Sequence, residues 1–81
     1  METPVLQWLL IGGPRHGEVV WVKGGHSLIF EHDGQRLSYQ GSDFLSSGRM
    51  YRIGVLDFSA VKNDEVSRLI QKTKLQHIAG S

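Results

Sequence analysis

Residues 27–40 read SLIFEHDGQRLSYQ, and the Asp33-Gly34 pair at the centre of this stretch decides the fold class. A two-residue type I′ turn needs positive φ at both central positions, and Asp-Gly between alternating segments is the strongest short-range hairpin signal. Leu28 and Phe30 share a face before the turn, and Leu37 and Tyr39 share one after it. Arg36, Ser38 and Gln40 point the other way. Strands over 27–32 and 35–40 therefore form a hairpin with one wet face.

Towards the N-terminus, residues 5–11 (VLQWLLI) are apolar on both alternating sets except for Gln7. The run is too short for a typical helix and stops at Gly12-Gly13-Pro14, which reads as a strand buried on both faces. Residues 18–23 (EVVWVK) form a second β-branched and aromatic strand, with Val19 and Trp21 on one side and Val20 and Val22 on the other. The intervening GGPRHG has turn composition, so these two strands make another hairpin.

Towards the C-terminus, residues 41–48 (GSDFLSSG) read as a loop with Phe44 and Leu45 tucked under the sheet. Residues 49–58 (RMYRIGVLDF) read as a long strand whose Gly54 marks a bulge or bend. From Asn63 the apolar period changes. Asn63 suits an N-cap, Asp64 and Glu65 suit the first turn, and Val66, Leu69, Ile70 and Thr73 follow helical spacing, which predicts a helix over 63–75. Gln76 to Ser81 are expected to fray. The fold class is mostly β (α+β). About five antiparallel strands form a meander or small open barrel of SH3-like or OB-like kind, with one C-terminal α-helix, in a single domain over residues 1–81.

Nine Lys+Arg against eight Asp+Glu leave a formal net charge of +1. Near balance supplies little non-specific attraction to nucleic acid or anionic lipid. There is no cysteine, so neither disulfides nor thiolate ligation can supplement a thin core. Met1-Glu2-Thr3-Pro4 lacks the basic start of a signal peptide, and no run approaches the ~20 apolar residues of a membrane-spanning helix. A cytoplasmic protein is expected.

No catalytic motif emerges. GGPRHG enters a strand, not a helix, and matches neither the phosphate-binding nor the dinucleotide-binding glycine pattern. His16, His26, His32 and His77 show no zinc-site spacing, so no metal and no cofactor are expected. Ser46-Ser47 and Asp43 lack a nucleophile elbow, and the acid pairs Glu31/Asp33 and Asp57/Asp64 are generic. The expectation is a protein that is not an enzyme.

Two binding classes remain. Val20, Val22, Ile29, Met50 and Leu56 offer more apolar strand surface than one helical stripe can cover. They are buried if the sheet curls around Gly54, or they form a patch for a protein partner or a second copy. The candidate binding residues are Arg15, His16, Trp21, Arg49, Tyr51 and Arg52. The alternative is a small barrel that binds single-stranded nucleic acid by stacking bases on Trp8, Trp21, Phe30, Tyr39, Tyr51 and Phe58 beside strand-borne arginines.

The opening, an apolar strand followed by Gly12-Gly13-Pro14-Arg15-His16-Gly17 and a valine-rich strand, resembles the start of many small accessory proteins of tailed bacteriophages and prophages. In those proteins the segment often reads Gly-Gly-Pro-x-Asp-Gly, and His16 stands here where the aspartate is usual. The resemblance covers about the first quarter of the chain. It implies a phage or prophage accessory protein that binds a host or phage macromolecule in a bacterial cytoplasm, and it carries over no functional residue.

Overall fold

The computed structural model describes residues 5–78. The expectations for the first four residues and for residues 79–81 lie outside that range. The chain folds into strands β1 (Val5–Ile11), β2 (Val19–Lys23), β3 (Ser27–His32), β4 (Gln35–Ser46) and β5 (Arg49–Val55), then helix α1 (Asn63–Thr73). Both expected hairpins form, with β1 against β2 and β3 against β4. Asp33 and Gly34 have φ of 51° and 76°, as a type I′ turn demands.

Of the expected meander or small open barrel, the five-stranded sheet and the single C-terminal helix are present, but the strands are not all antiparallel. The sheet order is β2-β1-β5-β4-β3, and β1 lies parallel to β5, with Leu9 opposite Ile53 and Ile11 opposite Val55. A strand apolar on both faces belongs in the middle of a sheet, and β1 takes that place in preference to an edge beside its sequence neighbours. The loop expected over residues 41–48 is corrected as well. β4 continues through Gly41 to Ser46, and the turn contracts to Ser47-Gly48, both at positive φ. Phe44 and Leu45 are thus strand residues on opposite faces: Phe44 packs on the core below α1, whereas Leu45 is 65% exposed.

The last strand ends at Val55, not at residue 58. Leu56 still donates its N–H to Ile11. The Asp57 carboxylate then accepts from the Ser59 N–H at 3.0 Å and turns the chain into a short 3-10 segment; such local bonding competes with a ladder. The helix closes two residues early at an αL Lys74.

The two edge strands β2 and β3 are joined only by Gly24, Gly25 and His26. In a flat sheet of five strands these edges would stand at least ~19 Å apart. Four Cα steps, from Lys23 to Ser27, reach about 15 Å at most. The sheet therefore curls into a half-barrel, open between β2 and β3. One core lies between the sheet and α1: Leu9, Ile11, Ile53, Val55, Val66, Ile70 and Leu75. A second fills the curled inner side, where Trp8, Leu10, Val22 and Tyr39 are buried.

Residues 76–78 are tethered and do not fray. The Gln76 N–H donates to the Gln7 side-chain oxygen at 2.8 Å, and the Ile78 N–H donates to the Met50 carbonyl at 2.8 Å. This strap crosses the sheet beside α1, with the His77 ring edge-on to Tyr51.

Candidate interaction surface

The six candidate binding residues fall into three environments. Arg15 and His16 sit in the β1–β2 connection, where Gly13–Arg15 form a single 3-10 turn. Both are held by the protein's own groups. The Arg15 guanidinium forms a two-pronged pair with Glu18 at 3.0 and 3.1 Å and lies 4.1 Å from the Phe30 ring centroid. That pairing raises the Arg15 pKa from its ordinary value and lowers the Glu18 carboxyl below its own, the mutual hydrogen bonds being the main cause.

His16 clamps the loop to the helix. The Gly12 N–H donates to His16 Nδ1 at 2.8 Å, and His16 Nε2 lies 2.8 Å from Glu65 Oε1. A backbone N–H can only donate, so Nδ1 accepts and the ring proton stands on Nε2, directed at the carboxylate. The Gly12 carbonyl in turn accepts from the Tyr39 hydroxyl at 2.8 Å. Gly12 is thus fixed from both sides. These contacts give the loop a structural role that its composition did not announce.

Arg52 and Tyr51 belong to the fold more than to its surface. Arg52 is held between Asp43, at 2.8 Å, and the Trp8 ring, whose centroid is 5.1 Å away. Its side chain is only 18% exposed. Tyr51 packs on the core below α1. Arg49 is exposed beside the Ser47-Gly48 turn. Alternation places Arg49 and Tyr51 on the α1 side and Arg52 on the inner side, so the three do not form one patch.

Trp21 differs from all of these. It stands at the centre of the edge strand β2 on the α1 side, opposite Gln7, and is 60% exposed. Val5, exposed as well, shares that face two positions along the neighbouring strand. Among the apolar strand residues of uncertain placement, Val22 is buried and Val20, Met50 and Leu56 are half-buried. Curling therefore covers all of the surplus but Ile29, which stays out on the edge strand β3; Trp21 on the other edge, Val5 and Leu45 are exposed strand residues as well.

The aromatic set of a base-stacking platform is largely consumed. Trp8 and Tyr39 are fully buried, Phe30 carries Arg15 on its face, and Tyr51 packs below α1. Trp21 and Phe58 are the exposed members, and they do not share an element. Ser46 directs its hydroxyl at that of Ser67, 3.4 Å away. Among the described residues no three His, Asp or Glu side chains gather as a metal site would require. The hollow outside α1 sets Asp64 and Glu65 among Lys62, Arg68 and Lys72, a mixed lining without directional chemistry.

No helix among the described residues is long and apolar enough to cross a membrane. No family model matches this chain, and no curated protein or solved structure matches it either.

Proposed function

We propose that this protein is a non-catalytic protein-interaction module that docks its partner along the open β2 edge, with Trp21 as the anchor. The observation that carries this reading is the 60% exposure of a tryptophan at the middle of an edge strand. Natural sheets protect their edges with charges, prolines or cover. β2 reads VVWVK, with its one charge at the last position. Adding a strand to such an edge supplies main-chain hydrogen bonds for affinity, while an aromatic beside them supplies selectivity.

The phage or prophage setting that the GGPRHG opening suggests fits an accessory protein of this kind, acting in a bacterial cytoplasm. The test is retention of protein from a bacterial lysate by the immobilised wild type, by Trp21→Ala and by Trp21→Lys, with circular dichroism confirming that each variant is folded. Retention by wild type, either of a lysate protein or of a tagged second copy of this chain added to the lysate, that is lost in both variants is the expected result. Partners retained equally by all three proteins would remove the edge from the function.

A further inference from the structure

The phase of the β1–β2 ladder determines which backbone groups on this edge face outward. The Leu10 N–H donates to the Glu18 carbonyl at 2.8 Å, and the Leu10 carbonyl accepts from the Gly17 N–H at 2.7 Å. Leu10 therefore occupies a hydrogen-bonded position of the ladder. Alternation along an antiparallel pair then turns the N–H and C=O of Val20 and Val22 towards β1. The same groups of Val19, Trp21 and Lys23 point away from the sheet. The side chains of these three residues share the α1 side, with Trp21 between the other two.

Resting on the module reading, we infer that the occupant of the edge is a second copy of this chain, with β2 paired antiparallel to β2 about a two-fold axis at Trp21. The strand is complementary to itself in that register. Trp21 meets Trp21 of the second copy as a hydrogen-bonded pair, and Val19 meets Lys23 in the same way on either side. No like charges stand opposite each other. Each Lys23 lies diagonal to the indole of the other copy, within reach of a long side chain, so a cation meets an aromatic face. The other edge offers less: β3 turns Ser27, Ile29 and Glu31 outward, so a two-fold at Ile29 sets Ser27 opposite Glu31 and brings no cation to an aromatic face.

An edge of five residues gives an interface at the small end, below about 1,200 Å². The dimer is therefore expected to depend on concentration. The chain has no cysteine, so engineered thiols report the register directly. Residues of a hydrogen-bonded pair have Cα atoms about 5.5 Å apart, inside the range a disulfide spans.

The experiment combines sedimentation across a wide concentration range with mild oxidation of single-cysteine variants, each checked by circular dichroism. Wild type should dimerise reversibly and Trp21→Lys should stay monomeric. A mixture of Val19→Cys and Lys23→Cys, which leaves Trp21 in place, should give a covalent dimer joining the two variants. Neither variant by itself should, nor should Ile29→Cys. A wild type that is monomeric throughout overturns the inference, and so does cross-linking through Ile29→Cys in place of the mixture. A monomer that still retains a Trp21-dependent protein partner overturns self-pairing and leaves the module reading standing; a monomer without one overturns both.

Discussion

Gly41 and Gly54 stand directly opposite each other on β4 and β5, and the Trp8 indole lies against both. A Cβ on Gly41 would meet Trp8 Cη2 at 2.7 Å, and one on Gly54 would meet Trp8 Cε3 at 3.2 Å and Leu10 Cδ2 at 2.9 Å. Neither residue has positive φ, so close approach is the reason for glycine here, not backbone conformation. The pair leaves the room into which a buried tryptophan fits, and the sheet closes over it.

Gly54→Ala and Gly41→Ala should each destabilise the fold by about 1–3 kcal/mol, the usual cost of an added methyl group in a packed core. Both press on the same ring, so the double variant should depart from additivity. Chemical denaturation monitored by circular dichroism measures all three. An unchanged stability in both single variants would mean that Trp8 is not seated on this pair.

Tyr39→Phe isolates the second fixed point of the inner core. The Tyr39 hydroxyl donates to the Gly12 carbonyl at 2.8 Å, while its ring meets Phe30 edge-on with centroids 5.8 Å apart. Removing the hydroxyl keeps the ring contact and loses the hydrogen bond, for an expected cost of about 1 kcal/mol. The same denaturation measurement checks it.

The parts of this fold legible in the sequence are those set by local periodicity. Asp33-Gly34 specified its hairpin because no other arrangement accepts those two φ values so readily. Val66, Leu69 and Ile70 specified the face of α1, where Val66 and Ile70 are buried. What could not be read is the strand order. Pairing β1 beside β5 joins residues over forty positions apart, and only the two-sided apolar character of VLQWLLI hints at a central place. Gly41 read as a break because a glycine in a strand weakens it, yet the Trp8 ring supplies the reason it is there. At the surface, Trp21 was legible as a candidate. The withdrawal of Arg15 and Arg52 into ion pairs with Glu18 and Asp43 depends on tertiary contacts.

Acid should weaken the Arg15–Glu18 pair in a defined direction. The folded-state pKa of Glu18 is lowered by its hydrogen bonds to Arg15. A depressed carboxyl contributes stability that is fully present above its unfolded value, near ~4.3, and is lost as pH falls through the folded value. Wild type should therefore exceed Glu18→Gln in stability at neutral pH, and the gap should close as the solution is acidified below the ordinary carboxylate range. Thermal unfolding of the two proteins across pH reads the gap, and one that widened on acidification would contradict the assignment.

His16 and Glu65 are forty-nine positions apart in sequence and tie the β1–β2 connection to the first turn of α1. Both side chains are partly open to water, so the pair is expected to contribute modestly, about 0.2–1 kcal/mol. A double-mutant cycle with His16→Ala and Glu65→Ala should return a coupling of that size. His16→Ala should also loosen Gly12, whose N–H loses its acceptor, and raise amide exchange there in the absence of any change at Glu65. Zero coupling together with unchanged exchange at Gly12 would show that the clamp does not form in solution.

The two tryptophans provide an optical test of the surface itself. Trp8 is 1% exposed and Trp21 is 60% exposed, so iodide should quench part of the wild-type emission. Trp21→Phe should leave a single blue-shifted emitter that iodide barely reaches. Titrating wild type with single-stranded oligonucleotides at low salt then separates the two function classes, because a base stacked on Trp21 quenches the accessible fraction. The expected result is no change, since Arg15 and Arg52 are already paired with Glu18 and Asp43 and a net charge of +1 supplies little attraction to phosphate. Saturable quenching that weakens steeply with salt would instead favour the nucleic-acid reading, since release of counterions from phosphate is what produces such a slope. Self-association predicts a third pattern: iodide protection of Trp21 that grows with protein concentration and is independent of added oligonucleotide.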